Sequence, residues 1–229
     1  MWRAVALYSG GKDSHYSILT SQNHNIFVEA LVVALPRRED SWLFHTVNVL
    51  WSKLHGEAMG IPVHLVPVSG FKDFEYLELR DSLHQLLTTH SDVDYLVAGA
   101  VKSKYQLEKF KALAEELGLK LYAPLWGRRE EELLEREVGE LSFIVTAIQA
   151  YCLSPRLLGN PSSSEIIYLL TKAHRECGVS LVGEGGEFET FVIRSPLFRG
   201  RGVAVRRGRM VLHPHMFTGY YIIEDADLF

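Results

Sequence analysis

Short apolar runs alternate with helical patterns through the first half of the chain. Ala4-Val5-Ala6-Leu7 is a continuous apolar run, the pattern of a strand buried on both faces. A helix is expected to begin near Asp13 or Ser14, either of which can cap it. Val28 to Leu35 reads as a second strand, closed by Pro36. Leu43, Val47, Leu50 and Leu54 recur at helical steps, with Gly60 suited to the C-terminal cap. Ile61 to Val68 reads as a third strand, and Leu79, Leu83, Leu86 and Leu87 mark another helix. Tyr95 to Ala98 is a fourth strand. Leu107, Phe110, Leu113 and Leu117 form the next helix, ending at Gly118, and Leu119 to Ala123 is a fifth strand.

Strands alternating with amphipathic helices predict an α/β fold, a Rossmann-like parallel sheet with helices on both faces. Ligands in such sheets bind at the carboxyl ends of the strands. After Pro124 the rhythm changes. A charged helix over Arg129 to Val138, a strand over Phe143 to Ala147 and a helix over Ile166 to Arg175 lead into strands with glycine turns from Phe188 onward. A hairpin is expected around Arg207-Gly208. We read residues 1–125 as one domain and 126–229 as a smaller C-terminal α+β domain.

The loop after the first strand is Ser9-Gly10-Gly11-Lys12-Asp13-Ser14. Two glycines let the backbone approach an anion closely, and a helix N-terminus offers unpaired N–H groups and a positive dipole end. Lys12 adds a point charge, and Ser9 and Ser14 add hydroxyls. The loop is too short for the G-x-x-x-x-G-K-[ST] phosphate loop. A glycine-rich turn that binds nothing is the plainer alternative.

Composition narrows the function classes. Across 229 residues, 47% are apolar and the net charge is −4, so a core can be buried and a general nucleic-acid binder is disfavoured. Cys152 and Cys177 form no C-x-x-C pair; read as two free thiols, structural or incidental, they suit a reducing cytoplasm. Neither a signal peptide nor a membrane span is visible.

The hexapeptide resembles the S-G-G-x-D-S signature of the PP-loop (HUP-type) ATP pyrophosphatases. Further segments resemble the diphthine–ammonia ligases: Ser41-Trp42-Leu43-Phe44-His45-Thr46-Val47-Asn48, Gly99-Ala100, Ser103 with Tyr105-Gln106, Pro124-Leu125-Trp126-Gly127-Arg128, and above all Gly183-Glu184-Gly185-Gly186-Glu187-Phe188-Glu189-Thr190. This resemblance covers nearly the whole chain in order. It implies an ATP- and Mg2+-dependent, AMP-forming ligase that adenylates the carboxylate of diphthine on translation elongation factor 2 and amidates it with ammonia, in the cytoplasm. It also implies that Ser9 to Ser14 bind the phosphates and that the backbone near Ala34-Leu35 contacts adenine. A small-molecule carboxylate substrate and a non-catalytic nucleotide sensor stay open, as does a homodimer.

Each candidate residue has a plainer role beside the functional one. Asp13 is a Mg2+ ligand or a helix cap. Lys12, Asp13 and Glu187 are the catalytic candidates. Glu184, Gly185, Gly186, Glu187, Glu189 and Thr190 surround a glycine turn, where carboxylates with Trp126 or Phe188 suit ammonium or a quaternary ammonium; the alternative is an exposed turn of solvated acids. His45 and Asn48 would share a face if helical, lining a pocket or lying on the surface. Tyr105 and Gln106 follow a strand end, as ligand contacts or first-turn residues. The arginines between Arg199 and Arg209 would face a large partner; a solvated hairpin is the more economical reading.

Overall fold

The computed structural model describes residues 1–37, 48–71 and 74–229. Five parallel strands form the first sheet: β1 (Trp2–Leu7), β2 (Ile26–Pro36), β3 (Val63–Val68), β4 (Tyr95–Val97) and β5 (Lys120–Tyr122). Their order is β3-β2-β1-β4-β5. The connecting helices are α1 (Lys12–Gln22), α2 (Ser52–Met59), α3 (Phe74–Thr89) and α4 (Lys104–Glu116).

The unbroken apolar run of β1 follows from burial on both sides. Ala4 and Ala6 join one core cluster while Val5 and Leu7 join the other. Leu79 and Leu83 of α3 and Phe110 and Leu113 of α4 cover one face. Ile18 of α1 and Ala58 and Met59 of α2 cover the opposite face. Helices therefore lie on both faces, as the alternation of elements predicts.

The remainder of the chain forms α5 (Glu130–Glu140), β6 (Ser142–Ile148), α6 (Ser164–Cys177), β7 (Phe188–Arg194), β8 (Val203–His213) and β9 (Thr218–Leu228). Its strands make an antiparallel sheet in the order β7-β6-β9-β8. Phe143, Phe191, Phe198 and Leu133 belong to the same buried cluster as Ala4, Ala6 and Ile18. The smaller domain thus packs on the α1 and α2 side and shares its core with the parallel sheet.

Several expectations are corrected. The hairpin does not turn at Arg207-Gly208: both lie within β8 at a register shift, and the chain reverses through Pro214–Met216 and Phe217. A Cβ at Gly208 would sit 2.5 Å from the Tyr221 side chain, so this glycine makes room for a ring. Neither Asp13 nor Ser14 caps α1; it starts at Lys12, and Gly11 holds the cap position. The helical stripe proposed from Leu43 to Leu54 is interrupted, because Asn48 is left-handed (φ 61°) and α2 starts at Ser52. Leu43 and Val47 lie outside the described residues. Cys152 and Cys177 are not free thiols. They form a disulfide with Cα atoms 6.6 Å apart, because the loop after β6 returns to the end of α6. With both thiols paired, neither cysteine points to a reducing compartment.

Candidate active site

The parallel sheet changes winding direction between β1 and β4, and a crevice opens at such a switch point beyond the strand ends. β1 runs into Tyr8–Gly11 and β4 into Ala98–Ser103. Gly10 has φ +83°. A Cβ on Gly99 would lie 2.7 Å from the Ser14 nitrogen, so glycine there lets the first turn of α1 rest against the end of β4. The hydroxyls of Ser9 and Ser14 are 3.1 Å apart, Gly11 N–H donates to Ser9 Oγ at 3.3 Å, and Ser14 Oγ donates to the Gly11 carbonyl at 3.0 Å. Two hydroxyls at the positive end of a helix, on a glycine backbone, fit a phosphate group.

The smaller domain lies across this crevice. Glu184 Oε1 accepts from the backbone N–H groups of Val101 (3.2 Å), Lys102 (2.9 Å) and Ser103 (2.6 Å) at the start of α4. Thr190 Oγ1 accepts from Lys12 N–H at the start of α1 at 3.0 Å. Val192 N–H donates to the Gly10 carbonyl at 3.0 Å. One stretch of the smaller domain therefore places oxygens on the N-terminus of α1 and on the turn that leads into α4, near helix ends whose dipole favours them.

Lys12 is buried against the smaller domain. Its ammonium is fully buried, donates to Asp13 Oδ1 at 2.7 Å and the Val182 carbonyl at 3.0 Å, and meets Glu137 Oε2 of α5 at 3.1 Å. Burial works against its charge, but Asp13 and Glu137 outweigh that and raise its pKa. Burial first, then the nearby Asp13, raises the Glu137 carboxyl well above the ordinary carboxylate range.

Beneath Gly10 runs a buried polar chain. Tyr8 Oη is 2.7 Å from Nδ1 of His15 and 2.7 Å from Nδ1 of His55. His55 Nε2 faces the Val192 carbonyl at 2.7 Å, and His15 Nε2 faces Ser195 Oγ at 2.6 Å. Burial pushes His55 down to about 3, and burial and the neighbouring His55 hold His15 well below its usual value, so both rings are neutral. The proton order then follows. His55 Nε2–H must donate to the carbonyl, so Nδ1 accepts the Tyr8 proton. His15 Nδ1–H donates to Tyr8 Oη, and its Nε2 accepts from Ser195.

Two family models match this chain, the diphthamide synthase N-terminal domain over residues 2–121 and the diphthamide synthase C-terminal domain over residues 129–229. The chain belongs to the diphthamide synthase family. Among its relatives, the diphthine–ammonia ligase of Danio rerio is 31% identical, with 92% of this chain and 89% of that protein covered. The Bos taurus ligase is 30% and the Homo sapiens ligase 29% identical, each over 92% of this chain and 85% of its own length. A solved structure described as a predicted subunit of tRNA methyltransferase from Methanocaldococcus jannaschii matches with TM-score 0.42 and 14% identity over 84% of this chain and 96% of that one, too slight a likeness to bear on the site.

In this diphthamide synthase family member, the sequence-predicted residues divide by location. Ser9, Gly10, Gly11, Asp13, Ser14, Glu184 and Thr190 meet at the switch point. Trp126 is close by, since Gly127 N–H donates to the Val101 carbonyl at 3.0 Å. Tyr105 and Gln106 stand in the first turn of α4, whose Gln106 N–H is capped by Ser103 Oγ at 3.3 Å. Ala34 and Leu35 lie at the end of β2. Three assignments change. Lys12 offers no charge to a phosphate in this arrangement, because its ammonium is occupied between the domains. Glu187 accepts from Ser180 N–H at 3.0 Å and Gly185 N–H at 2.8 Å, so it shapes its own loop. It also precedes β7, whose first residue is Phe188. Asn48 spends both ends of its amide on β9, donating to the Tyr221 carbonyl and accepting from Ile223 N–H, each at 2.8 Å, and so joins the domains. His45 lies outside the described residues.

Sequence reasoning missed Glu137, Tyr8, His15 and His55. Their side chains belong to helices and a strand end whose local patterns read as ordinary core, and nothing along the chain signals their convergence.

Proposed function

We propose that this chain is an ATP-dependent, AMP-forming amide ligase that converts the diphthine carboxylate of translation elongation factor 2 to diphthamide with ammonia. The observation that carries the reading is the placement of Glu184 and Thr190, from the smaller domain, on the turn that leads into α4 and on the N-terminus of α1, which flank the phosphate-loop crevice. An acceptor held by residues 126–229 would then lie over a nucleotide held by residues 1–125. Membership of the diphthamide synthase family and relatives that are diphthine–ammonia ligases support the same chemistry.

ATP would supply the adenylyl group, and Mg2+ would screen its phosphates. Ser9, Gly10, Gly11 and Ser14 would receive the phosphates through hydroxyls and helix-terminal amides aimed at developing charge. The β2 backbone sends the Val32 carbonyl to Tyr8 N–H. By strand alternation it directs the Ala34 amide and carbonyl to the same side, past the end of β1, where they would meet adenine. Among the described residues no cluster of three or more His, Cys, Asp or Glu side chains could hold a metal alone. Asp13, part-exposed, would share Mg2+ with the phosphates. Trp126, Tyr105, Gln106 and Glu189 would face the acceptor and ammonium. Among the described residues no helix is long and apolar enough to cross a membrane; the acceptor, a translation factor, places the reaction in the cytoplasm.

The test is release of AMP and pyrophosphate from ATP with ammonium, using elongation factor 2 with or without diphthine. Release only with the diphthine form, lost in Asp13→Ala, is the expected result. No release with either form despite measurable ATP binding overturns the reading.

A further inference from the structure

The tip of the β8–β9 hairpin exposes large apolar side chains that the chain does not use for its own packing. Met216 is 71% exposed, Phe217 59% and Tyr151 69%, with Met210 and Leu212 about half exposed on the same hairpin. The Tyr151 and Phe217 rings lie edge to face, with centroids 6.2 Å apart. Single exposed apolar residues need no explanation, but aromatics and methionines grouped at one hairpin tip have the composition of an interface centre. Phe217 is also held at φ +52°, a left-handed conformation that a bulky residue rarely adopts. This strain presents a ring to solvent and fills no core.

The patch adjoins the proposed acceptor crevice. Ile148, at the end of β6, pairs with Phe188 on one side and Gly219 on the other. The next residue, Gln149, donates its N–H to the Glu187 carbonyl at 2.7 Å. The hairpin tip, Tyr151 and the Glu184–Thr190 stretch therefore share one end of the antiparallel sheet. The arginines of the hairpin do not form a free basic surface. Arg206 pairs with Asp227 at 2.9 Å, and Arg207 (3.1 Å) and Arg209 (2.9 Å) pair with Glu224. That neutralisation disfavours a nucleic acid and leaves apolar contact as the chemistry of this face.

We propose that the patch of Tyr151, Met216, Phe217 and Leu212 is the docking surface for the acceptor protein, seating it so that its modified side chain enters the crevice beside Glu184 and Thr190. This rests on the ligase reading, which requires a folded protein to deliver its carboxylate to the nucleotide. The patch binds an apolar surface on that protein close to the modified residue.

The test is the double variant Met216→Asp/Phe217→Asp, with a melting curve to verify folding. Two quantities are measured: binding of the acceptor protein to immobilised enzyme without ATP, and steady-state pyrophosphate release. Acceptor affinity should fall about tenfold or more, with a matching rise in KM for acceptor and an unchanged KM for ATP. Equal acceptor binding by variant and wild type overturns the proposal, whether or not turnover is seen. So does a wild-type dimer that dissociates in the variant while acceptor binding persists, which would make the patch a self-interface. Acceptor binding lost in the variant, with no diphthine-dependent release by the wild type, would support the docking surface and sink the ligase reading instead.

Discussion

The ammonium of Lys12 meets Glu137 Oε2 at 3.1 Å with both side chains fully buried, so a residue of the Ser9–Ser14 loop is tied to a helix of the smaller domain. Removing Glu137 takes one partner from a buried ammonium that keeps Asp13 Oδ1 and the Val182 carbonyl, so the cost is that of a lost charged hydrogen bond, about 1.5–3 kcal/mol. Glu137→Ala should therefore destabilise the protein by that order in chemical denaturation. Lys12→Met, which takes the shared donor from Asp13, Glu137 and the Val182 carbonyl, should cost more than Glu137→Ala. If Glu137→Ala unfolds at the wild-type midpoint, the pair is not formed in solution.

Tyr8 links two imidazoles with one proton donated and one accepted. Tyr8→Phe removes both interactions and leaves two buried ring nitrogens without a partner, at a cost of about 1–3 kcal/mol each. Because the far ends of the chain grip Val192 and Ser195, the smaller domain should sit less firmly over the loop. Turnover should fall by about an order of magnitude while KM for ATP changes little. Steady-state kinetics on the purified variant would reveal that split; equal changes in both would point to a damaged nucleotide site.

His55 gives stability a defined pH dependence. Its folded-state pKa, about 3, lies below the ordinary 6.5, so between these values the unfolded chain binds the extra proton. Stability from this group is complete above pH 6.5 and falls as pH drops towards 3, with a slope of up to about 1.4 kcal/mol per pH unit. Denaturation midpoints across this range should slope less in His55→Gln, and parallel curves would count against the buried neutral ring.

Glu184 supplies an acceptor to three consecutive amides at the start of α4. Hydrogen bonds to a charged group contribute about 1.5–3 kcal/mol. In Glu184→Ala, amide exchange at Val101, Lys102 and Ser103 should accelerate, whereas amides in β2 should keep their protection. Unchanged protection at the three amides would mean that water replaces the carboxylate without loss.

Much of the parallel half was legible because its signals are local. Apolar runs placed the five strands, and Gly60 and Gly118 mark helix ends at φ +70° and +72°. The glycine–serine loop announced the first crevice wall. The hairpin was misplaced because Gly208 serves the Tyr221 ring, a partner distant in sequence.

The sequence by itself determined the alternation of strand and helix, the glycine–serine loop and the acidic glycine stretch, since each is written within a few neighbouring residues. Only the tertiary structure decided what those charges do. Lys12 turned inward because Glu137 and the Val182 carbonyl await it. Glu184 came to hold the turn that leads into a distant helix, and Cys152 found Cys177. The physical reason is one throughout: a buried polar group must find its partner wherever folding brings one, and sequence spacing does not record which segments will meet.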